Sequence, residues 1–283
     1  MFPFYEKKKG KRHTEKGLAN IYFWLKSNLL TINIDKTNYT CLTINNKTQP
    51  ENDFKIELHN CLYDSSNLCN CAPSTLNRVS TIKYLGVMLD HRLSWHPHID
   101  FASSRIRKLI WIFKILRHVT TKKLLIQIYL ALAQSILGYC ISVWGGASKM
   151  KFLQLERAQR SLLKVMFFKP FRFSTERIYN YCELLTVRKL YILQSTLKVH
   201  RVTTFSSNSN QHNKRRNVTA YIPPMRTKFG NSQFTNKSRF LYNKINKKNN
   251  INPLCIYQFK KILTAWLLSL NYDAVETLMD LNT

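Results

Sequence analysis

Four soft metal ligands fall within thirteen residues, in His59-x-Cys61 followed by Cys69-x-Cys71. Structural zinc sites usually pair their ligands through two to four intervening residues, and here each pair is separated by one. That spacing argues for incidental thiols in a loop, and no metal site is expected. His96-x-His98-x-Asp100 is a second cluster of ligand types, but it opens a helical stretch. There Asp100 more simply serves the positive end of the helix dipole. Two-metal phosphoryl transfer needs clustered carboxylates that hold two ions about 4 Å apart. The chain has no Asp-Asp pair, and Asp35, Asp90 and Asp100 each stand alone. G-x-G-x-x-G, Walker, G-x-S-x-G and H-E-x-x-H patterns are absent as well. What remains is the chemistry of positive charge. Arg105, Arg107, Lys108, Lys114, Arg117, Lys122 and Lys123 occupy nineteen residues without one acid.

That cluster belongs to a wider excess. Lys+Arg number 44 against Asp+Glu 15 in 283 residues, a net charge of +29. A pI near 10.0 implies a polyanionic partner, nucleic acid or an anionic membrane surface. A small acidic substrate would need a basic pocket and would not explain a global excess. The charge is uneven: residues 1–50 carry +6, 51–100 carry −2, 101–150 carry +8 with no acid, 151–200 carry +7 and 201–283 carry +10. A near-neutral module therefore precedes an electrostatic platform. Hydrophobic content of 45% excludes wholesale disorder. The seven cysteines are scattered and odd in number, and no apolar core follows the basic amino terminus. Free thiols, no secretory signal and an intracellular place, nuclear or cytoplasmic, are expected.

The elements that must position these residues follow from periodicity. Leu18, Ile21, Tyr22, Leu25 and Leu29 fit one face of a helix ending near Leu30. Strands are expected over Leu30–Ile34, Tyr39–Ile44 and Phe54–Leu58, a loop over 64–77, and a β-rich run Val79–Leu89 turning at Gly86. After Pro97 helices take over. Ile99, Ala102, Ile106, Leu109, Ile110, Phe113 and Leu116 form an inward stripe that leaves the basic residues outside. Further helices are expected from Thr120 into the 140s, around Phe152–Met166, over Val187–Val202 and over Ile256–Leu270. Residues 203–220 read as a flexible linker. The uncharged stretch Leu124–Ser148 is long enough to span a bilayer, but a buried central helix of a bundle is the favoured reading.

The run Lys83-Tyr84-Leu85-Gly86-Val87-Met88-Leu89-Asp90, with Leu93, Trp95, His98 and Ile99 after it, resembles a signature of reverse transcriptases of jockey-like non-LTR retrotransposons, K-Y-L-G-V-x-L-D-x-x-L-x-W-x-x-H-I. Trp24, Asn28, Leu30, Asn33, Lys36 and Thr37 resemble the segment closing the palm of that family. Ile136–Tyr139 and Val143–Gly145 resemble a thumb motif, with Gly138 and Tyr139 exchanged in order. Arg226–Gly230 and the terminal helix resemble the tail. The resemblance implies RNA-templated DNA synthesis with Mg2+ as the parent activity. The catalytic Tyr/Phe-x-Asp-Asp strand of the family would precede residue 18 and is not found.

Carried onto this chain, Lys36 matches a lysine implicated in protonating the leaving pyrophosphate. Tyr84, Leu85 and Gly86 match the primer grip, where Gly86 would allow close approach of a nucleic-acid backbone. The expected fold is mainly α with a small N-terminal α+β part, a remnant palm sheet followed by a helical thumb-like bundle. The expected division is 1–97 end of palm, 98–202 thumb-like domain, 203–220 linker and 221–283 C-terminal extension. The expected function is that of a truncated reverse transcriptase, inactive alone, without a cofactor of its own. It would bind RNA, DNA or an RNA–DNA hybrid through phosphates and take no small-molecule substrate. The rivals are a domesticated non-enzymatic nucleic-acid-binding protein and, less favoured, a membrane-associated helical protein.

Overall fold

A computed structural model of the chain describes residues 2–43, 50, 54–59, 72–208, 220–227, 230, 233–249 and 255–280. It divides into two compact units, Met1–Pro97 and His98–Thr283. Among the described residues the fold is mainly helical, and its few short strands lie in the first unit.

The first unit opens with helix α1 (Phe2–Ser27), which begins well before the periodic residues. Leu29 takes a left-handed φ of 57° at its end. Leu30 N–H then donates to the Leu25 carbonyl at 2.8 Å, and Leu29 N–H to the Lys26 carbonyl at 3.1 Å. This reversed ending satisfies carbonyls that the helix would otherwise leave open. The strand expected over Leu30–Ile34 is therefore not formed. Instead the Asn33 side chain accepts the Lys36 N–H at 3.0 Å and starts a 3-10 turn, Ile34–Lys36.

Among the described residues three two-stranded sheets follow. Strand β1 (Asn38–Tyr39) pairs parallel with β4 (Asn77–Arg78), and β2 (Glu57–Leu58) pairs antiparallel with β3 (Ser74–Thr75). Of the strand expected over Tyr39–Ile44 only Tyr39 is formed, Ile44 lying outside the described residues, and that over Phe54–Leu58 shrinks to its last two residues. Strand β3 and the start of β4 form inside the loop expected over 64–77, of which 64–71 lie outside the described residues. Ile56, Leu58 and Leu76 are buried around these pairs. Glu15 of α1, itself buried, accepts the Glu57 N–H at 3.3 Å and fastens helix to strand.

The third pair is the hairpin foreseen around Gly86, β5 (Thr81–Tyr84) and β6 (Val87–Asp90), joined by Leu85 and Gly86 alone. Buried Asp90 ends it by accepting the Ser94 and Trp95 N–H groups at 3.0 and 2.9 Å. Burial would raise its pKa, but these hydrogen bonds prevail and hold the carboxyl below its ordinary value.

In the second unit helix α2 (His96–Val119) buries Ile99, Ala102, Ile106 and Phe113 of the expected stripe, while Leu109, Ile110 and Leu116 are half-buried. The uncharged stretch after it is not one helix. It runs as α3 (Lys122–Tyr129), a π-helical turn (Leu130–Gln134), α4 (Ser135–Gly138) and α5 (Ile141–Trp144). Cys140, at φ 51°, breaks the rod between the last two. Among the described residues no helix is long and apolar enough to cross a membrane. After α5, Gly145 lies so close to Tyr191 that a Cβ would stand 2.2 Å from its Cδ2, so only glycine fits.

Helices α6 (Lys149–Met166) and α7 (Thr175–Cys182) lead to α8 (Val187–Asn208). Between Val187 and His200 almost every residue of α8 is buried, including Ser195, Thr196 and His200. It is the axle of the unit, and such a helix needs no polar face. It stays helical through Asn208, so 203–208 are not the expected linker; 209–219 lie outside the described residues. Helices α9 (Phe234–Asn249), α10 (Ile256–Ser269) and α11 (Tyr272–Met279) pack into the same unit. His200 of α8 stacks on Phe259 of α10 with centroids 4.0 Å apart, and its Nδ1 lies 3.1 Å from the Tyr242 hydroxyl of α9. Periodicity in the sequence does not foretell α7, α9 and α11.

Candidate nucleic-acid interface

In the first unit Lys36 is the exposed last residue of the 3-10 turn, held through its backbone by Asn33. Tyr84, Leu85 and Gly86 stand together at the hairpin tip. Tyr84 is 61% exposed and Leu85 is 73% exposed. Leu85 and Gly86 both have positive φ, 45° and 84°. Two such residues form the tight turn whose twist matches a hairpin, a place that ordinarily takes Asn-Gly. A leucine there is held in a strained conformation and displayed to solvent.

The structure divides the seven basic residues of the second unit. Arg105, Arg107, Lys108 and Lys114 of α2 and Lys123 of α3 are exposed. Arg117 is drawn inward: its Nη1 donates to the Val165 carbonyl at 2.8 Å and its guanidinium lies 4.1 Å over the Phe168 ring. Lys122 is exposed but engaged, donating to the Tyr181 carbonyl at 3.0 Å with its ammonium 3.8 Å over the Tyr181 ring. These two cations join the start of the bundle to the α6–α7 end. The reason is geometric, because Arg117 falls on the buried face of α2 at 100° per residue.

The outward side of α2 is not purely basic either. Trp111, Ile115 and Val119 follow one another at four-residue steps opposite the buried stripe, 69%, 48% and 75% exposed. Lys108 shares that face, with Arg105 on one flank and Arg107 and Lys114 on the other. The sequence carried this signal, since the three apolar residues are spaced for a helix but out of phase with the core.

The metal-type clusters resolve differently. Cys61, Cys69 and Cys71 lie outside the described residues, and among those described no group of three or more His, Cys, Asp or Glu could hold a metal. His98 is buried edge-on against Trp144 at 5.1 Å, and burial pushes its pKa down to about 4. Asp100 does not serve the helix end. It reaches across to α6, accepting from Lys151 Nζ at 3.1 Å and from Gln154 Nε2 at 2.8 Å.

A feature outside the sequence reading is a cavity of about 540 Å3 beside α4, α5, α8 and α10. Lys198, Arg201 and Lys260 line it with Tyr257 and no acid. Its walls come from chain segments too far apart for local spacing to reveal.

Over 159 residues, 55% of this chain, the sequence is 25% identical to a probable RNA-directed DNA polymerase from transposon BS of Drosophila melanogaster. The chain spans 16% of that curated relative's length. No family model matches the sequence, and no solved structure matches it. The similarity supports a reverse-transcriptase-related origin.

Proposed function

We propose that the chain is a nucleic-acid-binding protein derived from the reverse transcriptase of a jockey-like non-LTR retrotransposon, with α2 and α3 as a thumb-like platform. The observation that carries this reading is the exposed, acid-free set Arg105, Arg107, Lys108, Lys114 and Lys123. Such a set neutralises phosphates and releases their counterions without reading bases. The displayed Tyr84–Gly86 tip supports a second contact with a nucleic-acid backbone, as a primer grip would make. Its partners are RNA, DNA or a hybrid of the two, inside the cell.

These 283 residues are not expected to polymerise by themselves. The Mg2+ of the parent activity requires paired carboxylates, and among the described residues none fit it. Asp90 is committed to the Ser94 and Trp95 amides, and Asp100 to Lys151 and Gln154. Lys36 then has no leaving pyrophosphate to protonate.

The test is a salt titration of binding to a labelled RNA–DNA hybrid. Affinity should fall with a log–log slope of roughly −0.7 to −0.9 per phosphate contacted. The fivefold glutamine variant at Arg105, Arg107, Lys108, Lys114 and Lys123 should bind weakly and with a flatter slope. Equal binding by variant and wild type would remove the platform.

A further inference from the structure

We infer that the loop between α6 and α7, residues 167–174, is a stacking platform for single-stranded nucleic acid, an inference that rests on the proposed binding of nucleic-acid backbones. Its sequence alternates rings and cations: Phe167-Phe168-Lys169-Pro170-Phe171-Arg172-Phe173. Phe171 is 88% exposed, Phe168 57% and the neighbouring Tyr181 45%. A ring as open as Phe171 contributes almost nothing to a core.

The loop nevertheless has a fixed course. Lys169 N–H donates to the Lys164 carbonyl at 2.8 Å, and Phe173 N–H to the Pro170 carbonyl at 3.0 Å. Lys164 Nζ donates to the Phe171 carbonyl itself. Phe168 sits at φ 54°, a left-handed conformation that a phenylalanine adopts only when its surroundings impose it. The rings are therefore presented by a held backbone, so little ordering is needed on binding.

Cations accompany the rings. Lys169 lies 5.0 Å over Tyr181 and 5.3 Å over Phe173, while Arg117, bonded to the Val165 carbonyl, covers one face of Phe168 at 4.1 Å. Arg172 is exposed beside Phe171. No acid occurs between Glu156 and Glu176, while Arg157, Arg160, Lys169 and Arg172 do, beside the buried Lys164. Rings for π-faces beside cations for phosphates are the chemistry that holds a single strand without sequence preference. A duplex keeps its π-faces stacked inside and cannot use the rings, which separates this site from the platform on α2.

The experiment uses the full chain and a fluorescent oligouridylate of about ten nucleotides, with a duplex of equal length in parallel. Phe171→Ala should weaken oligouridylate binding about tenfold, within the range for one lost stacking partner, and leave duplex binding unchanged. Phe171→Trp should bind as well as wild type, and thermal melting of both variants should match it because the side chain is exposed. If wild type binds the duplex and Phe171→Ala binds oligouridylate equally well, the loop is not a platform although the wider reading stands. If wild type binds neither probe, the wider reading falls and the loop assignment with it. A third arm uses vesicles with a large fraction of phosphatidylserine. Loss of vesicle binding in Phe171→Ala, with oligouridylate binding intact, would overturn the inference in favour of a membrane surface.

Discussion

The Gln159 side-chain amide donates to the Tyr129 hydroxyl at 2.8 Å in the buried centre of the second unit. The same amide nitrogen donates to the Leu185 carbonyl at 2.9 Å. Its oxygen accepts from the Tyr179 hydroxyl at 2.8 Å and the Val187 N–H at 3.1 Å. One glutamine thus ties α3, α6, α7 and the start of α8, and it explains a polar residue on the apolar stripe of α6.

Replacing Gln159 by Leu should leave two buried hydroxyls, a carbonyl and an N–H without these partners. A loss of roughly 3 kcal/mol or more is expected, since each stranded buried group costs about 1–3 kcal/mol. Tyr179→Phe, which removes one bond, should cost about 1 kcal/mol. Urea unfolding of the three proteins checks this, and a Gln159→Leu loss under 1 kcal/mol would mean that the network is dispensable.

Acid should weaken the second unit through His98. Its pKa is about 4 when folded against an ordinary 6.5, so the unfolded state binds the extra proton over that window. Stability should be intact above pH 6.5 and decline by on the order of 3 kcal/mol by pH 4. His98→Leu should remove that part of the decline. A pH series of melting temperatures showing the same slope for both proteins would place the acid sensitivity elsewhere.

Arg117 and Lys114 should separate structure from binding. Arg117→Gln loses the bond to the Val165 carbonyl and the Phe168 contact, at a cost of about 2 kcal/mol. Lys114→Gln, on an exposed position, should stay within about 0.5 kcal/mol of wild type. It should instead reduce the salt slope of hybrid binding by roughly 0.7–0.9. Unfolding and binding curves on the same preparations would expose a reversed pattern.

Leu85→Asn should stabilise the first unit by about 1 kcal/mol, because Asn tolerates the left-handed conformation that Leu85 is forced to adopt. If the tip also touches a nucleic-acid backbone, the exposed leucine is the element lost, and hybrid affinity should drop while stability rises. Thermal melting paired with binding measures both. A stability decrease would show that Leu85 makes contacts worth more than its strain.

Local periodicity and composition were enough to read a mainly α chain with a small α+β beginning. The apolar stripe Ile99–Phe113 could only be a helix with one inward face, and the hairpin around Gly86 needed only two β-rich runs and a turn. The acid-free basic cluster was equally visible, because charge is a property of residues and not of their arrangement. Other features depended on contacts between distant segments. Leu29 closes α1 in a left-handed conformation that leucine disfavours, and this removed the strand expected over Leu30–Ile34. Arg117 and Lys122 look like any other solvated bases until Val165, Phe168 and Tyr181 are placed beside them. Helix α8 carries Ser195, Thr196 and His200 inside the core, where amphipathic pattern gives no guide. A sequence states which groups each residue can offer, while partner geometry decides which groups are spent inside the fold and which, such as Phe171 and Lys108, stay in solvent.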